Sequence, residues 1–371
     1  MESVLLISIL ACFTLRIGSS QLVPAIITFG DSSVDVGNND YLSTVFRADF
    51  PPYGRDFAGK VPTGRFCNGK LATDIIADTL GFTKYPPAYL SPEASGSNLL
   101  IGVNLGSAGS GFDDKTSLLS LRLMNKLTNT FFGVQLVKKK HVIPLSKQLE
   151  YFSEYKAKLT QLTGEKNATT ILSGALYIVS FGSSDFLQNY YINPLLQKLY
   201  TTPNAYASYL VGIFSNLVSV LYGMGARKIG VTSLPPLGCV PAAITLFGFG
   251  QNVCVQRLNN DARGFNVKIN AAVDVLGKEK QFSKLKLAVF DIYTPLLKLV
   301  NKPYESGFAE ARRGCCGTGI LETTSLLCNR NSIGTCTNAT QYVFWDGVHP
   351  SEAANQLLAD SLIMEGITLI S

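Results

Sequence analysis

The sequence AIITFGDSS, residues 25–33, joins an apolar run to a small polar turn. β-Branched and aromatic side chains dominate Ala25–Phe29, and a short apolar run that ends at a glycine is typical of a buried strand. Gly30, Asp31 and Ser32 follow directly. In a parallel α/β sheet, ligands bind beyond the carboxyl ends of the strands. The stretch therefore predicts a first strand and a candidate site at its end.

The same alternation of apolar runs and amphipathic patterns continues along the chain. Further strands are predicted at Leu100–Leu105, Ala175–Phe181, Lys228–Thr232 and Lys286–Ile292. Helices are predicted at Leu71–Leu80, Leu145–Leu162, Ala205–Tyr222 and Val255–Lys278, with a last helix starting just after Pro350. This order indicates a three-layer α/β/α sandwich with a parallel five-stranded sheet. Because no linker or repeat divides the sequence, we expect one domain over residues 21–371.

Composition and the amino terminus narrow the class of protein. Of the 371 residues, 46% are hydrophobic and 16% are charged, which excludes an intrinsically disordered chain. Val4–Leu15 is nearly unbroken apolar sequence that is too short to span a bilayer, and the small residues Gly18 and Ser20 follow it. We predict a signal peptide over residues 1–20, with a buried first strand or helix as the alternative.

The positive charge is local. The net charge is +6, and the stretch from Leu121 to His141 holds five basic residues and no acidic one. Without those five residues the net charge would be +1. A dispersed basic face with interleaved aromatic residues is missing from the sequence, so nucleic-acid binding is not expected.

The charge-free stretch Tyr200–Ala226 is the other candidate for a membrane segment. Its apolar residues Leu210, Phe214, Leu217 and Leu221 recur at helical spacing, and polar residues interrupt it. That pattern predicts a core-facing amphipathic helix. We therefore expect no transmembrane anchor in the mature chain.

The cysteines indicate disulfides in an oxidising compartment. Once Cys12 leaves with the signal peptide, seven remain: Cys67, Cys239, Cys254, Cys315, Cys316, Cys328 and Cys336. They form no CxxC pair and have no neighbouring histidine, which argues against zinc. Cys239 and Cys254 would close a short loop, and Cys67 is the odd thiol. The pairing within the carboxy-terminal cluster of four stays open.

Two sequons, at Asn167 and Asn338, are expected on glycosylated surface loops. Together with the signal peptide and the disulfides, they predict a secreted, extracellular protein.

The search for catalytic residues starts from the histidines, because the chain contains only two. His141 follows three lysines and is predicted to be a solvated loop residue. His349 follows Asp346 by three residues, a spacing that can place both on one side of a turn so that the carboxylate orients the imidazole. As an alternative, Asp346 would cap the last helix.

Ser32 is the best-placed hydroxyl, since it ends the first predicted strand. A helix cap is the alternative role for a Ser or Asp in such a turn. The sequence contains no G-x-S-x-G elbow, which argues against a lipase-type α/β-hydrolase. Two further glycine-bearing polar turns, Ser107–Gly111 and Gly182–Asp185, follow the second and third predicted strands. Small residues there would let backbone N–H groups approach an oxyanion.

These motifs together resemble a known family. Phe29–Asn39 is similar to the first block of the plant GDSL esterase/lipase family, within the SGNH hydrolases. Later blocks follow in the same order at Gly102–Gly111, Gly182–Asp185, Leu237–Pro241 and Asp346–Pro350. The resemblance covers essentially the whole mature chain. It implies a flavodoxin-like fold and serine-dependent ester hydrolysis with no metal or organic cofactor.

The resemblance also implies roles for individual residues. Ser32 becomes the nucleophile, His349 the general base and later acid, and Asp346 the group that orients the imidazole. The oxyanion hole would combine the backbone N–H of Ser32, a backbone N–H of Ala108 or Gly109, and a side chain of the third block. Of the two backbone donors, Gly109 is favoured.

The chain departs from the family pattern in two places. Ser184 stands where the family usually has Asn in the oxyanion hole, so we expect a working but slower enzyme. Residues 121–141 have no counterpart and are predicted to form an insertion between Thr116 and the helix that begins near Val142. The insertion is a lid-like loop, a basic surface arm or a translated intron. The intron is favoured, because the flanking motifs rejoin cleanly without it.

The expected activity is therefore that of a secreted serine esterase or lipase that acts on small-molecule or lipid esters through an acyl-enzyme on Ser32. An alcohol could intercept the same intermediate, which makes an extracellular acyltransferase one alternative. A secreted binding protein without catalytic activity is the other. Phe186, Tyr190 and Tyr191 follow the third block, and packing within a helical core is favoured over contact with the acyl group.

Overall fold

The computed structural model describes residues 21–118, 142–317, 328–332 and 334–370. The predicted signal peptide lies outside the described residues, as does the insertion at 121–141 with His141. The predictions made for them therefore remain sequence-based.

Five parallel strands form the central sheet. They are β1 (Ile26–Gly30), β2 (Gly102–Asn104), β3 (Leu176–Ser180), β4 (Lys228–Thr232) and β5 (Lys286–Phe290), in the spatial order β2-β1-β3-β4-β5. Each predicted strand is present, and β4 has the predicted bounds. The largest difference is at β2, because a 3₁₀ helix occupies Gly96–Ile101 in place of the start of the predicted strand. Gly102 then passes so close to Ile26 that a Cβ would overlap the carbonyl group of Ile26.

Helices cover both faces of the sheet. Those that lie wholly within the described ranges are α1 (Ala72–Thr79), α2 (Leu145–Thr163), α3 (Glu165–Gly174), α4 (Pro194–Leu199), α5 (Pro203–Gly223), α6 (Pro241–Phe247), α7 (Gln256–Leu276), α8 (Tyr293–Asn301) and α9 (Glu352–Ile370). The five predicted helices correspond to α1, α2, α5, α7 and α9. The four others, which have between six and ten residues, were not predicted from the sequence.

The alternation of strand side chains produces the three layers. On one face of the sheet, Ile27, Tyr177 and Ile229 belong to a large core with residues of α2, α5 and α7. On the other face, Ile178 and Phe290 belong to a smaller core with residues of α1 and α9. Successive side chains of a strand point to opposite faces, so one sheet supports both cores.

The long apolar helix α5 packs in the large core. Among the described residues, it is the helix long and apolar enough to cross a membrane by length and composition. Leu210, Phe214, Leu217 and Leu221 are each at most 1% exposed and belong to the large core, as does Phe265 of α7. This packing agrees with the predicted core-facing helix.

A second, two-stranded sheet was not predicted. It pairs β6 (Glu310–Gly314) with β7 (Tyr342–Phe344) in parallel. β6 contains three charged residues and no apolar run, so its sequence gives no strand signal. At Gly314 a Cβ would lie 2.8 Å from the carbonyl group of Asp346, so the small sheet packs directly against the turn that follows it.

Three disulfides bridge the described cysteines. Cys239–Cys254 pairs as predicted, and the carboxy-terminal cluster pairs as Cys315–Cys336 and Cys316–Cys328. Cys67 is the free, buried thiol, as predicted. Disulfides persist in oxidising compartments, so they fit an extracellular protein.

The two sequons are exposed, but one does not lie in a loop. Asn167 is in the first turn of α3, where its amide donates to the carbonyl of Thr163 at 2.9 Å. The prediction of a loop at Asn167 was therefore wrong. Asn338 caps a short 3₁₀ helix and accepts from the N–H of Thr340 at 3.0 Å.

Candidate active site

Ser32, His349 and Asp346 meet at the carboxyl edge of the central sheet. Ser32 follows β1, whereas Asp346 and His349 lie in the turn between β7 and α9. Nε2 of His349 is 2.7 Å from Oγ of Ser32, and Nδ1 is 2.9 Å from each carboxylate oxygen of Asp346. All three residues are buried, with Ser32 8% exposed. An alcohol from one end of the chain thus meets an imidazole and a carboxylate from the other.

The turn that holds the histidine is organised by the Asp346 carboxylate. Oδ1 accepts from the main-chain N–H groups of Val348 and His349, each at 2.8 Å. The three-residue spacing therefore places both side chains on one side of the turn, as predicted. The alternative role of Asp346 as the cap of the last helix is wrong, because α9 begins only at Glu352 and the hydroxyl of Ser351 accepts the N–H of Ala354 there.

Tyr53 is a residue of this site that the sequence analysis missed. Its hydroxyl donates to Oδ2 of Asp346 at 2.8 Å, and its ring is 1% exposed. Burial and the neighbouring carboxylate raise the pKa of Tyr53 well above its usual value, so the hydroxyl keeps its proton and acts as a donor. Tyr53 lies in an irregular loop with no motif around it, and the sequence carries no signal that could have marked it.

Aromatic rings enclose the imidazole. The ring of Phe66 lies 5.0 Å from that of His349, and Tyr53 packs edge-on against both Phe66 and Trp345. Packing on these sides restricts the rotamers that His349 can adopt. The ring is therefore held in the orientation that faces Ser32.

The main chain before Ser32 is held by Gln148 of α2. Its Oε1 accepts from the N–H of Gly30 at 3.0 Å, and its Nε2 donates to the carbonyl of Gly30 at 2.9 Å. A Cβ at Gly30 would overlap the side chain of Val34 and the carbonyl of Ser180. Glycine at this position therefore lets the chain turn tightly at the end of β1.

Asp31 closes the turn that carries Ser32. Its Oδ1 accepts from both the N–H and the hydroxyl of Ser33, at 3.0 and 2.7 Å. Burial raises the pKa of Asp31, against the effect of these hydrogen bonds and of the nearby His349. Asp31 caps this local turn, whereas the hydroxyl of Ser32 bonds to His349. The capping alternative for Ser32 is therefore wrong.

The second block supplies two candidate backbone donors, and they differ. The N–H of Ala108 donates to Oδ2 of Asp35 at 3.0 Å. Burial raises the pKa of Asp35 to about 6, although Ala108 and other main-chain N–H groups donate to it. Gly109 has a φ of +87°, which favours glycine, and its N–H bonds to no other residue within the described ranges.

The third block lies beside the second. Asp185 accepts from the N–H groups of Phe112 and Asp113 at 2.8 and 3.2 Å and from the hydroxyl of Thr116 at 2.6 Å. Ser184, the residue before it, is 3% exposed, and its main chain acts to lower the pKa of Asp31 against the larger effect of burial. Within the described chain, no hydrogen bond joins the Ser184 hydroxyl to Ser32 or His349.

The aromatic residues after the third block pack in the large core. Phe186 and Tyr190 are at most 4% exposed and contact Tyr206 of α5, at 5.6 and 5.1 Å between ring centroids. The hydroxyl of Tyr191 donates to Asp261 of α7 at 2.9 Å. Core packing was the favoured interpretation, and the structure agrees with it. The cavity that opens at Ser32 is lined instead by Leu187 from this segment.

A three-layer α/β/α sandwich with an alcohol, an imidazole and a carboxylate in line at its carboxyl edge defines a hydrolase-type protein. The family model described as GDSL-like Lipase/Acylhydrolase matches residues 26–362, and the chain belongs to this family. The chain is 61% identical over 370 residues to the GDSL esterase/lipase APG of Arabidopsis thaliana, covering 100% of this chain and 98% of that protein. It is 53% identical over 367 residues to the GDSL esterase/lipase At5g03810 of the same plant, covering 98% and 97%. The protein is therefore an enzyme that hydrolyses carboxylic ester bonds.

Proposed function

We propose that this enzyme is a secreted serine esterase or lipase that acts through an acyl-enzyme on Ser32. The observation that supports this most directly is the continuous pair of contacts from Oγ of Ser32 to Nε2 of His349, and from Nδ1 of His349 to Asp346. A serine hydroxyl is a weak nucleophile unless a base lies within hydrogen-bond reach and a third group orients that base.

In the proposed reaction, His349 removes the proton from Ser32 as Oγ attacks the ester carbonyl. The tetrahedral intermediate collapses when His349 gives this proton to the departing alcohol, which leaves the acyl group on Oγ. A water molecule then attacks the acyl-enzyme while His349 takes one of its protons. Collapse of the second intermediate returns that proton to Oγ and releases the acid. Asp346 holds the imidazole and stabilises its charged form throughout.

The developing oxyanion would be bound by the main-chain N–H groups of Ser32 and Gly109 and by the hydroxyl of Ser184. Gly109 is preferred to Ala108 because Asp35 already accepts the N–H of Ala108. Donors that are fixed before the reaction stabilise the transition state without reorganisation, and loss of one typically costs about 10²–10³ in rate.

Secretion is the second part of the proposal. It rests on the predicted signal peptide over residues 1–20, on the three disulfides, and on the two exposed sequons at Asn167 and Asn338. We propose that both asparagines are glycosylated and that the mature enzyme has no transmembrane anchor, its apolar helix α5 being part of the core. When the gene is expressed in plant cells, the protein should be secreted into the culture medium, begin at Gln21 and lose mass on enzymatic deglycosylation.

The catalytic proposal is tested with p-nitrophenyl acetate. Ser32→Ala should lower kcat by at least 10³-fold, because the residual rate of triad variants comes from binding and the oxyanion hole alone. The unfolding temperature should stay nearly unchanged. Ser173→Ala is the matched control, since Ser173 lies in α3, which precedes the amino end of β3, and its hydroxyl donates to the carbonyl of Thr170.

Equal rates for wild type and Ser32→Ala would contradict the proposal and favour a binding protein on the esterase fold. An added alcohol separates hydrolysis from acyl transfer, because both reactions share the acyl-enzyme. Product analysis that found mainly the new ester would identify the enzyme as an acyltransferase.

A further inference from the structure

A cavity begins at Ser32 and His349 and continues into the layer between the sheet and helices α1 and α9. One wall is the sheet, including Ile178 of β3 and Phe290 of β5. The other wall is helical, including Ile76 of α1 and Leu362 of α9. One continuous space therefore joins the candidate nucleophile to the smaller of the two cores.

The end of the cavity nearest Ser32 is polar. Oγ of Ser33 lies 3.1 Å from Oγ of Ser180, which accepts from the hydroxyl of Thr232 at 3.0 Å. Ser33 follows β1, Ser180 ends β3 and Thr232 ends β4. These three hydroxyl groups therefore lie at the carboxyl edge of the sheet. An ester group, which is itself polar, matches this end.

The deep end of the cavity is apolar. Ile76, Ile178, Phe290, Leu358 and Leu362 line it, and each is between 2% and 5% exposed. None of these side chains can donate or accept a hydrogen bond, and an apolar cavity favours hydrocarbon over water. The change from polar to apolar along one cavity matches a molecule with a polar head and a hydrocarbon tail.

A glycine makes room for one wall of the cavity. A Cβ at Gly230 of β4 would overlap the ring of Phe290 on the neighbouring strand. The ring therefore lies in the space that a side chain at position 230 would occupy. Any larger residue there would push the Phe290 ring out of its place in the wall.

Helix α9 gives the depth of the cavity. Asn355 and Leu362 both line it and lie seven residues apart on the same helix. At about 1.5 Å per residue, this distance is about 10 Å. A hydrocarbon zigzag with bonds of about 1.5 Å advances about 1.25 Å per carbon, so about eight carbons span this depth.

We propose that this cavity binds the acyl chain of the substrate, and that the enzyme therefore prefers esters of medium-chain acids of about eight carbons. The proposal rests on the proposed role of Ser32, because it takes the ester carbonyl at Ser32 as the fixed end. Leu362 closes the far end and sets the chain length. The alcohol part of the ester leaves through the open side at Ser32.

The test is a series of p-nitrophenyl esters from acetate to palmitate. The wild-type kcat/KM should rise about 4-fold per methylene up to about eight carbons and then level off or fall, since each buried methylene contributes about 0.8 kcal/mol. Leu362→Trp should lower kcat/KM for the octanoate at least 10-fold more than kcat/KM for the acetate. Leu362→Ala should move the optimum to a longer chain, which keeps the test usable if the tryptophan variant does not fold.

Leu369→Ala is the matched control for the alanine variant. Leu369 lies on the same helix, is buried in the same core and is 2% exposed, but does not line the cavity. Its variant should lose stability like Leu362→Ala yet keep the wild-type order of preference. A wild-type profile in both Leu362 variants, with acetate hydrolysis still dependent on Ser32, would overturn the acyl-site proposal and leave the proposed function intact.

A binding measurement separates the two proposals completely. Free octanoate should raise the unfolding temperature of the Ser32→Ala protein. It should not do so in the double variant that also carries Leu362→Trp. This readout does not depend on catalysis, so it stays informative even if the wild type fails to hydrolyse acetate and the proposed function is lost. A shift that persists in the double variant would show that octanoate binds elsewhere.

Discussion

Among single residues, the buried carboxylate of Asp346 has the most donors in the site. It accepts from the hydroxyl of Tyr53, from the N–H groups of Val348 and His349, and from Nδ1 of His349. A buried charge is stable only when it is well hydrogen-bonded. Each donor thus contributes both to folding and to the position of the imidazole, and Tyr53 is the one that comes from a distant part of the chain.

Tyr53→Phe removes one of these donors and keeps the ring in place. We expect kcat to fall about 10-fold with KM unchanged, because Tyr53 touches Asp346 and not the substrate cavity. The free energy of unfolding should fall by about 1.5–3 kcal/mol, the usual contribution of a hydrogen bond to a charged group. Steady-state kinetics and urea unfolding measure the two effects. Tyr304→Phe, at a residue 80% exposed, is the control, and equal kinetics for both variants would contradict the role given to Tyr53.

Ser184→Asn tests the third donor of the proposed oxyanion hole. An amide reaches farther than a hydroxyl, and a full donor in such a hole is worth about 10²–10³ in rate. We expect kcat on p-nitrophenyl acetate to rise by up to about 10-fold, since the serine hydroxyl already supplies part of the effect. An unchanged kcat in a variant with the wild-type unfolding temperature would exclude position 184 from the oxyanion hole.

At the scale of elements, strands and helices that carry a regular pattern could be predicted, and the others could not. The five sheet strands have apolar runs, and the five predicted helices have helical spacing of apolar residues. β6 has the sequence EARRG, pairs with β7 and is followed directly by Cys315 and Cys316, which both form disulfides. The close packing of Gly314 in β6 against Asp346 could therefore be found only from the three-dimensional structure.

In the candidate site, too, residues within a sequence motif could be predicted and residues outside any motif could not. Ser32, Asp346 and His349 could be selected because each lies in a short motif and the chain has few histidines. Tyr53 and Gln148 lie in no motif, and they reach the site across 293 and 118 residues of sequence, to Asp346 and Gly30. Local sequence cannot predict such contacts, because they depend on how a loop and a helix pack in the finished fold.

The buried carboxyl group of Asp185, which accepts hydrogen bonds from Phe112, Asp113 and Thr116, makes the free energy of unfolding depend on pH. Burial raises the pKa of Asp185 from 3.8 to about 7, although Thr116 and two main-chain N–H groups donate to it. Between these two pH values, Asp185 carries a proton in the folded chain but not in the unfolded chain. The stability that this proton contributes is therefore complete below pH about 4 and is lost as the pH rises through about 7. We expect the free energy of unfolding to decrease from pH 5 to pH 8, and to decrease less in Asp185→Asn.

Urea unfolding at several pH values measures this dependence. Asp274→Asn, at an exposed position of α7, is the control and should follow the wild-type profile. Other buried carboxyl groups also titrate in this range, Asp35 with a pKa of about 6 among them, so the comparison is the difference between variant and wild type. Parallel profiles for wild type and Asp185→Asn would contradict the prediction.

At the scale of the whole molecule, the described chain comes together on both sides of the insertion at 121–141. The N–H of Ser146 donates to Oδ1 of Asp114 at 3.1 Å, and the N–H of Ile143 donates to the hydroxyl of Ser107 at 2.9 Å. Thr116 before the insertion and Gln148 after it bond to Asp185 and Gly30, so both flanks are tied to the site. None of these four contacts involves a residue of the insertion.

Deletion of residues 121–141 should therefore leave the fold and the activity intact. We expect the shortened chain to unfold within a few degrees of the full chain and to hydrolyse p-nitrophenyl acetate within about 2-fold of its rate, because loop length changes stability only slowly. The net charge falls from +6 to +1, so the protein should elute earlier from a cation exchanger. An insoluble or inactive product would show that the insertion belongs to the fold or the site. Transcripts that join codons 120 and 142 would explain the insertion as an unspliced intron, whereas a spliced message that encodes it would contradict that origin.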